Sequence, residues 1–466
     1  VGVRFVGRLF VLGLAAFVAS GCGGGGSGAT PPTASGPVSA PQSGVGGATV
    51  GVANPGASAS PGASPGATAT PSTPNPNLGS GETPSMADAF VDSIGVNVHL
   101  AYYQSYYANF AQIRAMLTTL GVRHYRDGVT IGDGATTARI QTLAAAGIRA
   151  DVLSTEGSDV GALGAYVASL GSAVDAVEGP NEFDLSNTPS WATLLDAFQS
   201  ALYPSIHATG VTVIGPAVSE PASFALAGPF TTDADEGNMH DYFAGRNPGT
   251  SGWGATDAFG TYGSLPWHLA IAGQMTPGKP MVATETGYSD AADTYVVPSA
   301  IKAHYTVRTV LEHWNAHVAR TYLYELVDEG NVPFSHYGLV DASGNPKPAY
   351  TALKNVIGHL TDAGPAFPVT ALSYTLTGSV HHALFERRNG TYVLALWNEA
   401  QEWDVNAGAL TPPAPVAVTL AFPAAPRALA ATTLDDTGAS ATVTLPAQKS
   451  TALQITGMPT LVDVTP

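Results

Sequence analysis

From Ser93 onward, short apolar runs alternate with stretches in which apolar residues recur every three or four positions. That pattern predicts strands alternating with amphipathic helices, and so a parallel sheet. Eight runs have the length and side chains of strands: 94–99, 122–126, 148–153, 176–182, 211–216, 239–243, 281–286 and 321–326. Between them, residues 107–120 place Phe110, Ile113, Met116, Leu117 and Leu120 on one helical face, and residues 299–317 repeat the pattern with Ile301, Tyr305, Val310, Leu311 and Trp314. Eight strands with eight interleaved helices over residues 86–362 predict an α/β fold, a (β/α)₈ TIM barrel. The fifth and sixth units have the least regular pattern. An open doubly wound sheet would carry a Gly-rich phosphate loop after its first strand, where this chain has His99-Leu100-Ala101-Tyr102.

The periodicity changes after residue 362. Runs at 380–385, 391–397, 416–422, 441–445 and 452–455 are short and β-rich, separated by turn residues such as Asn389-Gly390 and Asp436-Thr437-Gly438. With no helical period among them, residues 363–466 read as a C-terminal β-sandwich, with Trp397 and Trp403 as core residues. On the other side of the barrel, residues 23–85 are almost wholly Gly, Ala, Ser, Thr and Pro, with no charged residue from Gly23 to Gly81. Such a segment cannot bury enough apolar surface to offset its ordering entropy and predicts a disordered linker. A flexible chain of about 60 residues reaches roughly 40–45 Å.

Residues 1–22 combine Arg4 and Arg8 with an apolar run at 9–18, then Ala19-Ser20-Gly21 and the sole cysteine, Cys22. The run is short for a membrane span and has a signal peptide's flanks. This stretch resembles a bacterial lipoprotein signal, with Ala19 where leucine is usual. The resemblance implies lipidation of Cys22, export, and a lipid anchor to the cell envelope as the chain's only contact with a membrane. One cysteine excludes an intrachain disulfide.

Composition narrows the partner. The formal net charge is −17 and only 11% of residues are charged, with no basic run. Without a Lys/Arg patch to displace counterions, nucleic acid is excluded and a neutral ligand favoured.

Candidate chemistry stands at two strand ends. The fourth reads Val177-Glu178-Gly179-Pro180-Asn181-Glu182-Phe183 and the seventh Met281-Val282-Ala283-Thr284-Glu285-Thr286-Gly287-Tyr288. The C-terminal ends of barrel strands converge on one cleft, so both sequences would deliver a carboxylate there. Two carboxylates flanking a bond suit glycoside hydrolysis, one protonating the leaving oxygen and the other attacking or activating water. Asn-Glu ending the fourth strand and a second Glu ending the seventh resemble clan A of the glycoside hydrolases, closest to families 39 and 5. The resemblance covers the barrel and extends to a C-terminal β-domain.

The resemblance implies a retaining enzyme for a poly- or oligosaccharide, needing no cofactor, with Glu182 as acid/base and Glu285 as nucleophile. Asn181 would hydrogen-bond the sugar 2-hydroxyl. His240-Asp241-Tyr242 resembles the clan's His-x-Tyr element, whose tyrosine holds the nucleophile. Arg126 would pair with Glu285, or else form a structural ion pair with Asp127 or another barrel acid. His99 would meet a sugar hydroxyl or be a buried structural histidine. The clan's strand-eight Trp is replaced by Tyr324-Glu325-Leu326. Trp253 or Trp267 would then supply the sugar platform, and Glu325 and Asp328 polar contacts to sugar or a loop cap. No metal set is expected: His381 and His382 are neighbours in a predicted strand and face opposite sides. A different reading is a non-catalytic polysaccharide-binding lipoprotein on the same barrel, against which Glu182, Glu285, Asn181 and Tyr242 stand together.

Overall fold

The computed structural model describes residues 81–291, 293–330 and 335–466; Cys22, the signal and nearly all of the linker lie outside these. In chain order, β1 (Ser85–Met86) and α1 (Ala87–Asp92) precede β2 (Ile94–Asn97), α2 (Phe110–Leu120), β3 (His124–Gly128), α3 (Gly134–Ala144), β4 (Arg149–Leu153), α4 (Val160–Leu170), β5 (Val174–Glu178), α5 (Trp191–His207), β6 (Thr212–Ile214) and β7 (Gly237–His240). A small hairpin, β8 (Thr256–Asp257) and β9 (Gly260–Thr261), leads to α6 (Leu265–Ala272), β10 (Met281–Thr286), α7 (Ser299–Asn315), β11 (Arg320–Leu323) and α8 (Pro348–Leu360). Helix starts follow local chemistry. Asp133 accepts from the Ala135 and Thr136 amides to cap α3, and Asp159 caps α4 through Gly161 and Ala162.

Eight parallel strands run in the order β6-β5-β4-β3-β2-β11-β10-β7. A bridge between Ile214 and Glu236 joins the two end strands. This is a nearly closed barrel. Ala176, Ile214, Val282 and Tyr322 pack together as a small buried cluster, separate from the larger cores. Gly95 makes room for the largest of them: a Cβ there would lie 2.4 Å from the Tyr322 ring.

In place of the expected eight helices, the described residues have seven, six between successive strands and α8 after β11. The connection from β6 to β7 has no helix among the described residues; it runs through turns instead. Pro216, Pro221 and Pro229 interrupt that stretch, and Phe224 and Phe230 bury into the core there without a helix.

The C-terminal region adds β12 (Thr375–Thr377), β13 (His381–Glu386), β14 (Tyr392–Trp397), β15 (Trp403–Asp404), β16 (Ala409–Leu410), β17 (Val416–Ala421), β18 (Ala428–Leu434), β19 (Ser440–Leu445), β20 (Ser450–Ile455) and β21 (Thr460–Thr465). They form a six-stranded sheet, β1-β13-β14-β21-β18-β19, and a three-stranded sheet, β12-β17-β20, with Leu394, Leu420, Ile455 and Val462 in the core they share. The outermost strand of the larger sheet comes from the other end of the chain. Ser85 and Met86 pair in parallel with Phe385 and Glu386, and Glu82 bridges Leu372. Residues 82–85, read from sequence as linker, are therefore stitched into the C-terminal sheet. Trp397 is buried and donates its indole N–H to Glu312 of α7 at 2.8 Å, fastening the β-domain to the barrel. Among the described residues, no helix is long and apolar enough to cross a membrane.

Candidate active site

At the end of β5 the chain leaves the sheet through Gly179-Pro180. Gly179 passes so close to Pro216 that a Cβ would lie 2.7 Å from its nitrogen. Three residues on, Glu182 adopts a left-handed backbone (φ 43°, ψ 43°), and its amide donates to the Ala217 carbonyl at 3.0 Å. A non-glycine residue in that region carries a strain of roughly 1–3 kcal/mol, tolerated where surrounding contacts over-determine it.

Glu182 Oε1 lies 2.8 Å from His240 Nδ1, and His240 Nε2 lies 3.0 Å from the Thr284 hydroxyl. The Thr284 hydroxyl gives its hydrogen to Asn238 Oδ1 at 2.7 Å. Asn238 is oriented by its own amide, which donates to Glu178 and to the Gly215 carbonyl. Thr284 must therefore accept from His240, which pins a hydrogen on Nε2. Nδ1 is left facing Glu182, so that pair shares one proton between imidazole and carboxyl. Burial works against a charged His240, but the charge of Glu285 and the bond to Glu182 outweigh it and raise its pKa.

Glu285, near the end of β10, is 8% exposed. Arg126 donates to its Oε1 at 2.7 Å and Tyr242 to its Oε2 at 2.9 Å. Burial pushes this carboxyl up, yet the charges of His240 and Arg126 and the two hydrogen bonds prevail and hold it below the ordinary carboxylate value. One carboxyl oxygen of Glu182 and one of Glu285 lie within 4.8 Å of each other, with His240 beside both.

Arg126 organises the polar groups around Glu285. Nε and Nη2 form a fork on Glu178 at 2.5 and 2.8 Å, Nη2 also reaches Asn181 Oδ1 at 2.7 Å, and Nη1 reaches Asn97 Oδ1 at 3.0 Å. A planar guanidinium suits this because its donors diverge in fixed directions toward several acceptors. The alternative pairing with Asp127 is not made. Asp127 accepts from the Leu100 amide instead, and its burial pushes it up to about 7.

Several candidates sit elsewhere than sequence suggests. Trp267 is 3% exposed and donates its indole N–H to Asp257, so it is a core residue and cannot serve as an open platform. Trp253 has Arg246 stacked 4.5 Å from its ring centroid and Tyr262 against its edge. The ring against Glu285 is instead Tyr242, with Tyr337 edge-on to it and to Tyr324 in turn. Glu325 is wholly buried, and burial together with the charge of Asp328 drives its carboxyl well above the usual range. Its neighbour is His99, whose ring stacks on Tyr102. Asp328 holds Lys347 and the Gly338 amide, a loop-fixing role. His381 and His382 part company, to Glu312 and Glu82.

Sequence reading missed Glu178, Asn97, Asn238, Thr284 and Tyr337. A signal existed for Glu178: a carboxylate following Ala176-Val177 in a buried strand needs a buried cation, and Arg126 is the charge ending another strand.

No protein-family model matches the chain, and no curated protein shows detectable sequence similarity to it. Solved structures do share its shape. A GH39 enzyme from Xanthomonas axonopodis pv. citri is 16% identical, over 85% of this chain and 98% of that one, with a TM-score of 0.55. A monomeric beta-xylosidase from Caulobacter crescentus is 14% identical over 84% and 98%, with a TM-score of 0.54. A family 39 glycoside hydrolase from the gut symbiont Bacteroides cellulosilyticus is 17% identical over 82% and 83%, with a TM-score of 0.52. At these identities the likeness is one of fold: the chain has the barrel and β-sandwich architecture of family 39 glycoside hydrolases.

Proposed function

We propose that this protein is a retaining glycoside hydrolase acting on a poly- or oligosaccharide. The observation that carries the proposal is the approach of one carboxyl oxygen of Glu182 and one of Glu285 to within 4.8 Å at the C-terminal ends of the barrel strands. Retaining enzymes set their carboxyl groups about 5–5.5 Å apart, whereas inverting ones leave about 6.5–9.5 Å for a water. The surroundings also differ as the two roles require. Glu285 is gripped by a cation and a phenol and stays ionised. Glu182 shares a proton with His240, which keeps one at hand for a leaving group.

In the first step a Glu285 oxygen forms a bond to the anomeric carbon as the glycosidic C–O bond breaks. The departing oxygen takes the proton of Glu182. In the second, water loses a proton to Glu182 while its oxygen displaces Glu285, which restores both carboxyl groups. Arg126 occupies Asn181 Oδ1, so the amide N–H of Asn181 is the end available for the sugar 2-hydroxyl. The test is a panel of aryl β-glycosides and plant and bacterial polysaccharides, with the anomer of the first-formed product read by NMR. Retention is expected. Inversion would overturn the role given to Glu285, and binding without any bond cleavage would favour a carbohydrate-binding protein instead.

Tyr242→Phe gives a sharper reading of the same site. Glu285 is ionised below the ordinary carboxylate range, so activity persists to correspondingly low pH. Removing a hydrogen bond to a charged group, on the order of 1.5 kcal/mol, raises that pKa by about one unit. The acid limb of kcat/KM should therefore move to higher pH by about that amount. An unmoved limb would mean that Tyr242 does not support the ionised nucleophile.

Export and lipid anchoring at Cys22 belong to the same proposal, supported by the Arg4/Arg8, apolar run and Cys22 order and by the uncharged stretch after it. In a bacterial host the wild-type chain should sediment with membranes and enter detergent, whereas Cys22→Ser should not. Equal behaviour of the two would remove the anchor.

A further inference from the structure

Among the described residues, three groups of His and carboxylate side chains bring one ligand atom each within 4.8 Å of one another. Two of them already hold cations. In the group Glu182–His240–Glu285, Arg126 sits on Glu285. In the group Asp290–Asp328–His336, Lys347 Nζ lies 2.7 Å from both aspartates. The third, His99–Glu325–Glu329, is different: no Lys or Arg nitrogen among the described residues lies within 4 Å of either glutamate, and His99 is their only partner.

Barrel closure creates this cluster. β2 and β11 are paired neighbours, Val96 opposite Leu323, so the residues just beyond their C-terminal ends meet. His99 Nε2 stands 3.2 Å from Glu325 Oε2 and 3.4 Å from Glu329 Oε1. Yet none of these atoms makes a hydrogen bond, and neither does the other oxygen of Glu325, whose side chain is wholly buried. A buried carboxyl whose two oxygens make no hydrogen bond, with only an imidazole nitrogen beside it, is a costly arrangement unless something else satisfies it. The two distances from His99 fit a metal, and the glutamate oxygens lie within 4.8 Å of each other. Ligand atoms about 2.0–2.2 Å from a common ion stand roughly 3.0–3.4 Å apart at neighbouring positions of an octahedron or tetrahedron.

We propose that His99 Nε2, one oxygen of Glu325 and one oxygen of Glu329 bind a single divalent transition ion, Mn²⁺ or Zn²⁺. The imidazole argues against calcium and magnesium, which take oxygen ligands, and one nitrogen with two carboxylates suits Mn²⁺ and Zn²⁺. Three protein ligands leave at least one position for water or a sugar hydroxyl. This site is independent of the glycosidase proposal and stands or falls separately.

The test uses the full chain, stripped with EDTA, dialysed, and titrated calorimetrically with MnCl₂ and with ZnCl₂. One equivalent should bind, and the melting temperature should rise with metal. Calcium should do neither. Glu325→Gln and Glu329→Gln should each weaken binding by more than the roughly 10–100-fold that outer-shell partners carry. Glu329 is partly exposed, so its variant is the control against misfolding of the buried Glu325 variant, with circular dichroism checking both. Glu285→Gln should bind metal as the wild type does. Crystals grown with MnCl₂ should give an anomalous peak between His99, Glu325 and Glu329. No saturable binding, binding that survives both glutamate changes, or a peak only at another group overturns the site.

Discussion

Glu285→Gly should lower turnover by roughly four orders of magnitude or more on every substrate, and azide should restore part of it with inversion at the anomeric carbon. The first half follows because no covalent intermediate forms without the carboxylate; four orders correspond to about 5.5 kcal/mol of transition-state stabilisation. The second half follows from what remains. Arg126 Nη1 and the Tyr242 hydroxyl, which donate to the two oxygens of Glu285, stay aimed at the space it vacates. Two donors converging on a small cavity make a receptor for a small anion, placed on the face from which Glu285 attacked. Glu182→Ala should behave differently. It retains activity on aryl glycosides whose leaving groups need no proton, and azide there attacks the glycosyl-enzyme to give a retained product. Opposite anomers in the two variants would mean that the roles are exchanged.

Arg126→Met should be the most destabilising single change in the barrel. Glu178 is wholly buried and Glu285 nearly so, and both lose their cation together. Breaking one buried ion pair costs about 3–5 kcal/mol, because the remaining charge is stranded in low dielectric. Urea unfolding at pH 7 should show at least that loss. The sign of its pH dependence is fixed as well. The deficit is full at neutral pH and shrinks toward acid, where Glu285, deprived of a cation that lowers it, becomes neutral. Arg126→Lys keeps the charge but not the fork, and so cannot hold Glu178, Glu285, Asn181 and Asn97 at once. It should recover part of the stability and little of the activity. A variant as stable as the wild type would mean that Glu178 and Glu285 do not depend on this guanidinium.

The barrel was legible because its strands are buried on both faces and read as apolar runs. Each of the eight runs covers half or more of a strand, and the errors lie at the ends. The fourth was read as 176–182, whereas β5 is Val174–Glu178. Pro180 ends the ladder early, and Asn181 and Glu182 occupy the turn beyond it, where functional side chains collect. The fifth helix was expected from the repeat and not from the residues, and prolines won. β18, with the sequence ALAATTL, escaped because alanine carries little strand propensity, and only pairing with its neighbours makes it a strand. Glu182 and Glu285 could be picked out because the Asn181-Glu182 pair follows the fourth run and Glu285 stands near the end of the seventh. The Trp platform could not be placed, since burial of Trp267 depends on the loop folding around Asp257. The His99–Glu325–Glu329 group was invisible for a topological reason: its members come from the first and last barrel strands, which become neighbours only on closure.

The stitch between the start of the described chain and the C-terminal sheet sets an order of events during synthesis. Glu82 and its hydrogen-bond partner Tyr374 are 292 residues apart in sequence. At about 5–20 residues per second, roughly 15–60 s separate their emergence from a ribosome. Throughout that interval β1 has no sheet to join, although the barrel that follows it is already being made. β1 therefore cannot pair before β13 has arrived, and its docking reports that the chain has emerged at least as far as Glu386.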